Sequence, residues 1–88
     1  MKFRLVEREE ICIIPKDVAV VLHDENINLD GYEVYDETIN GYVSMYEWFE
    51  GFYVMAVIKD RDRVSVIAGL DVPDSSDVLV NLYIFSKE

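Results

Sequence analysis

Between Lys16 and Lys59 the chain has no lysine or arginine. The same stretch carries Asp17, Asp24, Glu25, Asp30, Glu33, Asp36, Glu37, Glu47 and Glu50, which account for all but one unit of a formal net charge of -10. Outside it, nine acids meet eight bases, and the balance is nearly neutral. The lack of a positive footprint argues against direct binding to nucleic acid or to an anionic membrane, and favours a basic partner. Cysteine is scarce as well. Cys12 alone excludes an internal disulfide and suits a reducing compartment. Placed among Ile11, Ile13 and Ile14, it reads as a buried, inert thiol. No apolar run approaches the roughly 20 residues needed to span a bilayer; the longest is Gly51 to Ile58. Residues Met1 to Glu10 lack the apolar region of a signal peptide. A soluble, cytoplasmic protein is the expectation.

Catalytic signatures are missing too. His23 is the single histidine, with no histidine or cysteine partner at zinc-ligand spacing. It reads as a surface residue at the end of a short helix. Asp71, Asp74 and Asp77 lack the ligand density and central glycine of a calcium loop, so turn chemistry accounts for them. There is no glycine-rich phosphate cradle, no G-x-S-x-G and no H-E-x-x-H. Neither an enzyme nor a cofactor or metal site is expected.

What the chain does have is apolar material and turn punctuation. Hydrophobic residues make up 51% of 88 residues, enough for one small packed domain. Asn40-Gly41 is a strong hairpin signal and separates the strand-like runs Tyr32–Ile39 and Tyr42–Phe49. Glu50-Gly51 precedes Phe52–Lys59, and Asp60-Arg61-Asp62 precedes Arg63–Gly69. A longer loop over Asp71–Asp77 leads to Val78–Phe85, where Val78, Val80, Leu82 and Ile84 alternate onto one side. At the front, Leu5–Ile14 reads as a strand stopped by Pro15. Lys16–His23 has two readings. Val18, Val21 and Leu22 at helical spacing favour a short helix, while the β-branched Val18, Val20 and Val21 favour a strand. Helix is preferred. The fold class expected is α+β, a mostly antiparallel sheet of five to six strands with one short helix.

The acidic segment is also the aromatic one. Tyr32, Tyr35, Tyr42, Tyr46, Trp48, Phe49, Phe52 and Tyr53 crowd into it. Cross-strand packing is the plain explanation for most of them. Tyr46 and Trp48 are the candidates for anchors at an interface, where charges orient and aromatics hold. The acidity likewise has two readings. It serves solubility, or it imitates a polyanion: alternate strand residues lie about 6.6 Å apart on one face, so strand carboxylates can form a ladder resembling spaced phosphates, and Glu33, Asp36 and Glu37 are candidate partner-binding acids.

One run of residues carries a resemblance. Glu9-Glu10-Ile11-Cys12-Ile13-Ile14-Pro15-Lys16-Asp17-Val18-Ala19-Val20-Val21 resembles the edge strand and following helix of the phage uracil-DNA glycosylase inhibitors, with Leu5-Val6 in a matching place before it. Tyr35-Asp36-Glu37-Thr38 and Met55-Ala56-Val57-Ile58-Lys59-Asp60 are similar to two later strands of that family, so the likeness covers roughly residues 4 to 68. It implies a non-enzymatic DNA mimic whose acidic edge strand enters the enzyme's DNA groove and whose apolar pocket caps a leucine. By position it makes Glu9 and Asp17 the strand and helix acids, with Glu10 beside them in place of a serine. Ile13, Val18, Val21 and Leu22 stand at pocket-lining positions, and Val20 stands where the family has a second helix acid.

The partner expected is therefore a basic DNA-binding enzyme, uracil-DNA glycosylase first. A restriction or CRISPR effector is an alternative target for the same polyanion mimicry. An acidic homo-oligomeric assembly module is the alternative of another class.

Overall fold

The computed structural model describes residues 1–88. Six strands form one curled sheet: β1 (Lys2–Pro15), β2 (Glu33–Asp36), β3 (Gly41–Ser44), β4 (Tyr53–Lys59), β5 (Arg63–Asp71) and β6 (Asp77–Lys87). Two short helices join them, α1 (Lys16–Leu22) and α2 (Met45–Trp48). The order across the sheet is β3-β2-β1-β6-β5-β4. The α+β expectation holds, with two differences: there is a second helix, and the sheet is mixed. β1 and β2 run parallel, because the connection between them contains α1 and a long loop rather than a hairpin turn.

β6 lies at the centre of the sheet, antiparallel to β1 on one side and to β5 on the other. A central strand is covered on both faces, and β6 shows it. Val78 and Val80 are buried on one face, Tyr83 and Phe85 on the other. The larger core lies on the Tyr83 and Phe85 face, with Val64, Val66 and Ala68 beside them. Residues 24–52 fold over this face as a lobe and contribute Leu29, Val34, Met45 and Phe49. On the opposite face only α1 provides cover, through Ala19 packed on Val78 and Val80.

Pro15 ends β1 as expected and sits at the start of α1 with φ −62°. The Asn40-Gly41 hairpin forms, but its turn is wider than a two-residue loop. Asp36 pairs with Gly41, and Glu37–Asn40 make the bend with Asn40 at φ 51°. The Tyr42–Phe49 run is not one strand. Ser44 breaks it by capping α2, its side chain accepting a hydrogen bond from the Tyr46 N–H at 3.3 Å. The spacing Ser44-x-x-Glu47 is a capping-box pattern and is the signal that marks this helix in the sequence. Cys12 is exposed, contrary to the expectation of a buried thiol, because the middle of β1 is covered on neither face. No helix is long and apolar enough to cross a membrane.

Candidate protein-interaction surface

The outside of the lobe is acidic while its inside is apolar. From Asp24 to Glu50 it carries eight carboxylates and no lysine or arginine. Asp24, Glu25, Asp30, Glu37, Glu47 and Glu50 are exposed, and Glu33 and Asp36 half-buried. None of the eight forms an ion pair. The two salt bridges of the chain, Arg4–Glu88 at 2.5 Å and Lys16–Asp71 at 3.6 Å, use acids outside the lobe. Three cations do reach the lobe from the sheet, yet they rest on tyrosine rings: Lys2 over Tyr42, Arg4 over Tyr35 and Lys59 over Tyr32, at 4.7, 4.2 and 4.9 Å from the ring centres. The carboxylates are left facing solvent.

Local chemistry distinguishes some of these acids from the rest. Asp36 accepts hydrogen bonds from the Thr38 hydroxyl at 2.6 Å and the Thr38 N–H at 2.9 Å, closing the turn that follows β2. Those bonds, the hydroxyl first, hold its carboxyl below the usual range. Glu88, at the rim, accepts from the Tyr42 hydroxyl and the Arg4 guanidinium, and both lower its pKa, Tyr42 more. The same contact raises the pKa of Tyr42. Asp24 caps the Asn26 N–H at 2.9 Å.

The residues singled out from the sequence divide into separate groups. Asp36, Glu37 and Trp48 do come together, lining a cleft between β1 and β2 with Arg4, Leu5 and Tyr35. Trp48 is not an exposed anchor, however. It is half-buried, stacked on Phe52 and edge-on to Phe49, Tyr83 and Phe85, because α2 turns its ring down onto the sheet. Tyr46 is 45% exposed, and its hydroxyl accepts from the Leu29 N–H at 2.7 Å, so it fastens the loop before β2.

Of the apolar group expected at one cavity, Val21 and Leu22 share an open groove with Val20, His23 and Tyr53, while Ile13 and Val18 do not line it. Ile13 pairs with Leu79 and Ile14 with Val78. Neighbouring strand residues point to opposite faces, so Ile14 packs toward Ala19 of α1 and Ile13 points away from the helix. Val18, Val21 and Leu22 are 41%, 82% and 50% exposed, since Ala19 is the buried residue of the helix. Glu9 and Glu10 likewise divide, opposite Leu82 and Asn81 of β6. Asp17 is exposed at the start of α1, where its side chain accepts from the Val18 N–H. Sequence reasoning missed the buried polar pair on the central strand: the Asn81 amide donates to the Tyr83 hydroxyl at 3.1 Å. His23 ends the short helix as expected, but it is half-buried rather than at the surface, with its ring edge-on to Tyr53. No group of three His, Cys, Asp or Glu side chains is arranged to hold a metal ion. Comparison with protein-family models, curated proteins and solved structures finds no match to this chain.

Proposed function

We propose that this chain is a polyanion mimic that binds and inhibits a basic DNA-binding enzyme, uracil-DNA glycosylase first among the candidates. The observation that carries this reading is the lobe: eight carboxylates with no ion-pair partner, on a scaffold held down by an apolar inner side. Unpaired surface acids on one lobe sum to a field that steers a positively charged partner, and a backbone already folded costs less entropy on binding than a disordered one. The reading places the contact on residues 24–50 rather than on β1. That strand is charge-balanced, with Lys2, Arg4 and Arg8 against Glu7, Glu9 and Glu10.

Inhibition of purified glycosylase by the wild-type chain tests the target. The combined variant Glu33→Gln, Glu37→Gln, Glu47→Gln and Glu50→Gln tests the surface. Association is expected to slow at least about tenfold between low and roughly 0.5 M salt for the wild type, and much less for the variant. A wild-type chain that inhibits neither glycosylase nor a restriction or CRISPR effector ends the inhibitor reading. A salt-insensitive association rate ends the polyanion argument whatever the target.

A further inference from the structure

β1 is 14 residues long, but its outer edge is paired with β2 at only two of them, Lys2 and Phe3. Beyond that point β2 diverges, and the outer edge of β1 from Glu7 to Ile14 is hydrogen-bonded to no other strand. An unpaired edge of this length is a template for another strand. Its side chains are exposed as well: Val6 54%, Ile11 50% and Ile13 62%. From Glu7 to Ile14 it carries Arg8 against Glu7, Glu9 and Glu10, and over its whole length β1 is charge-balanced, so it can approach another copy of this acidic protein without the repulsion that the lobe would meet.

We infer that the free edge of β1 pairs antiparallel with the same edge of a second copy, about a two-fold axis through Glu9. The charge pattern selects that register. In an antiparallel pair, residues directly opposite share a face, so a two-fold alignment must match residues of equal parity. Arg8 and Glu10 lie on one face, opposite Tyr83 and Asn81 of β6, and Glu7 and Glu9 on the other. An axis through Glu9 sets Arg8 of each copy against Glu10 of the other, which makes two complementary pairs. An axis through Arg8 opposes Arg8 to itself and Glu7 to Glu9. One through Glu10 opposes Glu10 to itself and leaves Arg8 facing Cys12. Neither Arg8 nor Glu10 has an ion-pair partner within the chain. Bulges at Val6 and Ile11 bound the regular stretch Glu7–Glu10 on which the pairing centres.

Strand pairing by itself buries less than the roughly 1,200 Å² of a standard stable interface, so the dimer is expected to depend on concentration. Sedimentation of the chain alone tests it, which keeps this inference separate from any enzyme target. Arg8→Glu and Glu10→Arg, each folded by circular dichroism, should each weaken the dimer by about tenfold or more, because symmetry doubles every like-charge contact. An equimolar mixture of the two should restore it, since each glutamate then faces an arginine. Glu9→Gln should tighten the dimer about threefold by removing the like pair on the axis. A wild-type chain that stays monomeric to about 1 mM, the weak end of measurable association, overturns the inference. So does a dimer that both charge variants leave intact, or variants that fail to rescue one another on mixing.

Discussion

The two faces of the sheet are built on different terms. One is covered by a lobe that buries Leu29, Val34, Met45 and Phe49 and brings four aromatic rings, Trp48, Phe49, Tyr83 and Phe85, within 6 Å of one another in most pairings. The other is covered by a seven-residue helix that buries a single alanine. The first face is where the free energy of folding is concentrated, since apolar burial dominates it. The second leaves Val18, Val20, Val21, Leu22 and Ile58 in solvent, which contributes little to stability. Acidity follows the same division, with the carboxylates on the outside of the well-packed lobe. The surface proposed to meet a partner therefore lies on the better-packed side of the molecule.

The largest break in that comparison is expected from Phe85→Ala. Phe85 is fully buried, with Trp48 at 5.3 Å and Phe49 at 5.8 Å between ring centres. Its truncation should cost about 3–5 kcal/mol, a large part of the ~5–15 kcal/mol that a domain has in total. Urea unfolding measures it. A loss under about 1 kcal/mol would mean that the lobe does not close the core. Gly69→Ala probes the thinly covered face and should cost less. A Cβ at Gly69 would run into a methyl of Val78, which is itself fully buried beneath Ala19, with the Met55 methyl 3.4 Å away. Overpacking of this kind costs about 1–3 kcal/mol and should loosen α1 first, visible as faster amide exchange in residues 16–22.

How much of this was legible in the sequence depends on whether the pattern was periodic. β5 and β6 alternate, and their runs were placed within two residues at each end. Pro15 marked the boundary between β1 and α1. Where apolar residues run together, alternation disappears and facing is undetermined. Ile11-Cys12-Ile13-Ile14 has no period of two, and a bulge at Ile11 shifts the register. The resemblance sets Ile13 with the helix, and nothing in the local pattern corrects it, while Ile14 is the residue that packs there. The missing period is also why Cys12 was read as buried. Residues 42–49 failed differently: their aromatic content suits a strand, but a local cap at Ser44 outweighs strand propensity. The acidic half of the site was legible, because charge depletion between Lys16 and Lys59 needs no structure to be seen. That its carboxylates lie on one lobe was not, since the parallel pairing of β2 to β1 is a long-range contact.

Acid should weaken the lobe's own fastenings by a smaller amount. Asp36 and Glu88 both have carboxyls held below their ordinary values, by Thr38 and by Tyr42 with Arg4 respectively. A depressed carboxylate adds stability that is fully present above its unfolded value and is lost as pH falls through the folded one. Stability should therefore decline as pH falls below the ordinary carboxylate range. Tyr42 has the opposite sign: its raised pKa adds stability that is lost as pH rises past the ordinary tyrosine value. All three groups remain in contact with water, so both effects should be slight. Thr38→Val removes the main cause at Asp36 and should flatten its part of the acid decline. An unchanged acid limb would mean that the Asp36 turn is not what holds that carboxylate down.

The smallest effect on folding is expected at Val21, and it sharpens the comparison most. A helix carrying Val18, Val20, Val21 and Leu22 would ordinarily bury that stripe. Here Val21 is 82% exposed, because the alanine between the valines is the side chain small enough to sit against Val78 and Val80. Val21→Ala therefore removes methyl groups from water rather than from a core. It also replaces a β-branched residue with the best helix former, so the two small terms oppose each other. The net change in unfolding free energy should lie within about 0.5 kcal/mol of zero. A loss of 1 kcal/mol or more would place Val21 in a packed cavity, and the apolar pocket implied by the resemblance to the glycosylase inhibitors would regain its footing. With stability unchanged, any weakening of enzyme inhibition by Val21→Ala would have to come from contact with the partner itself, read as faster dissociation at an unaltered association rate.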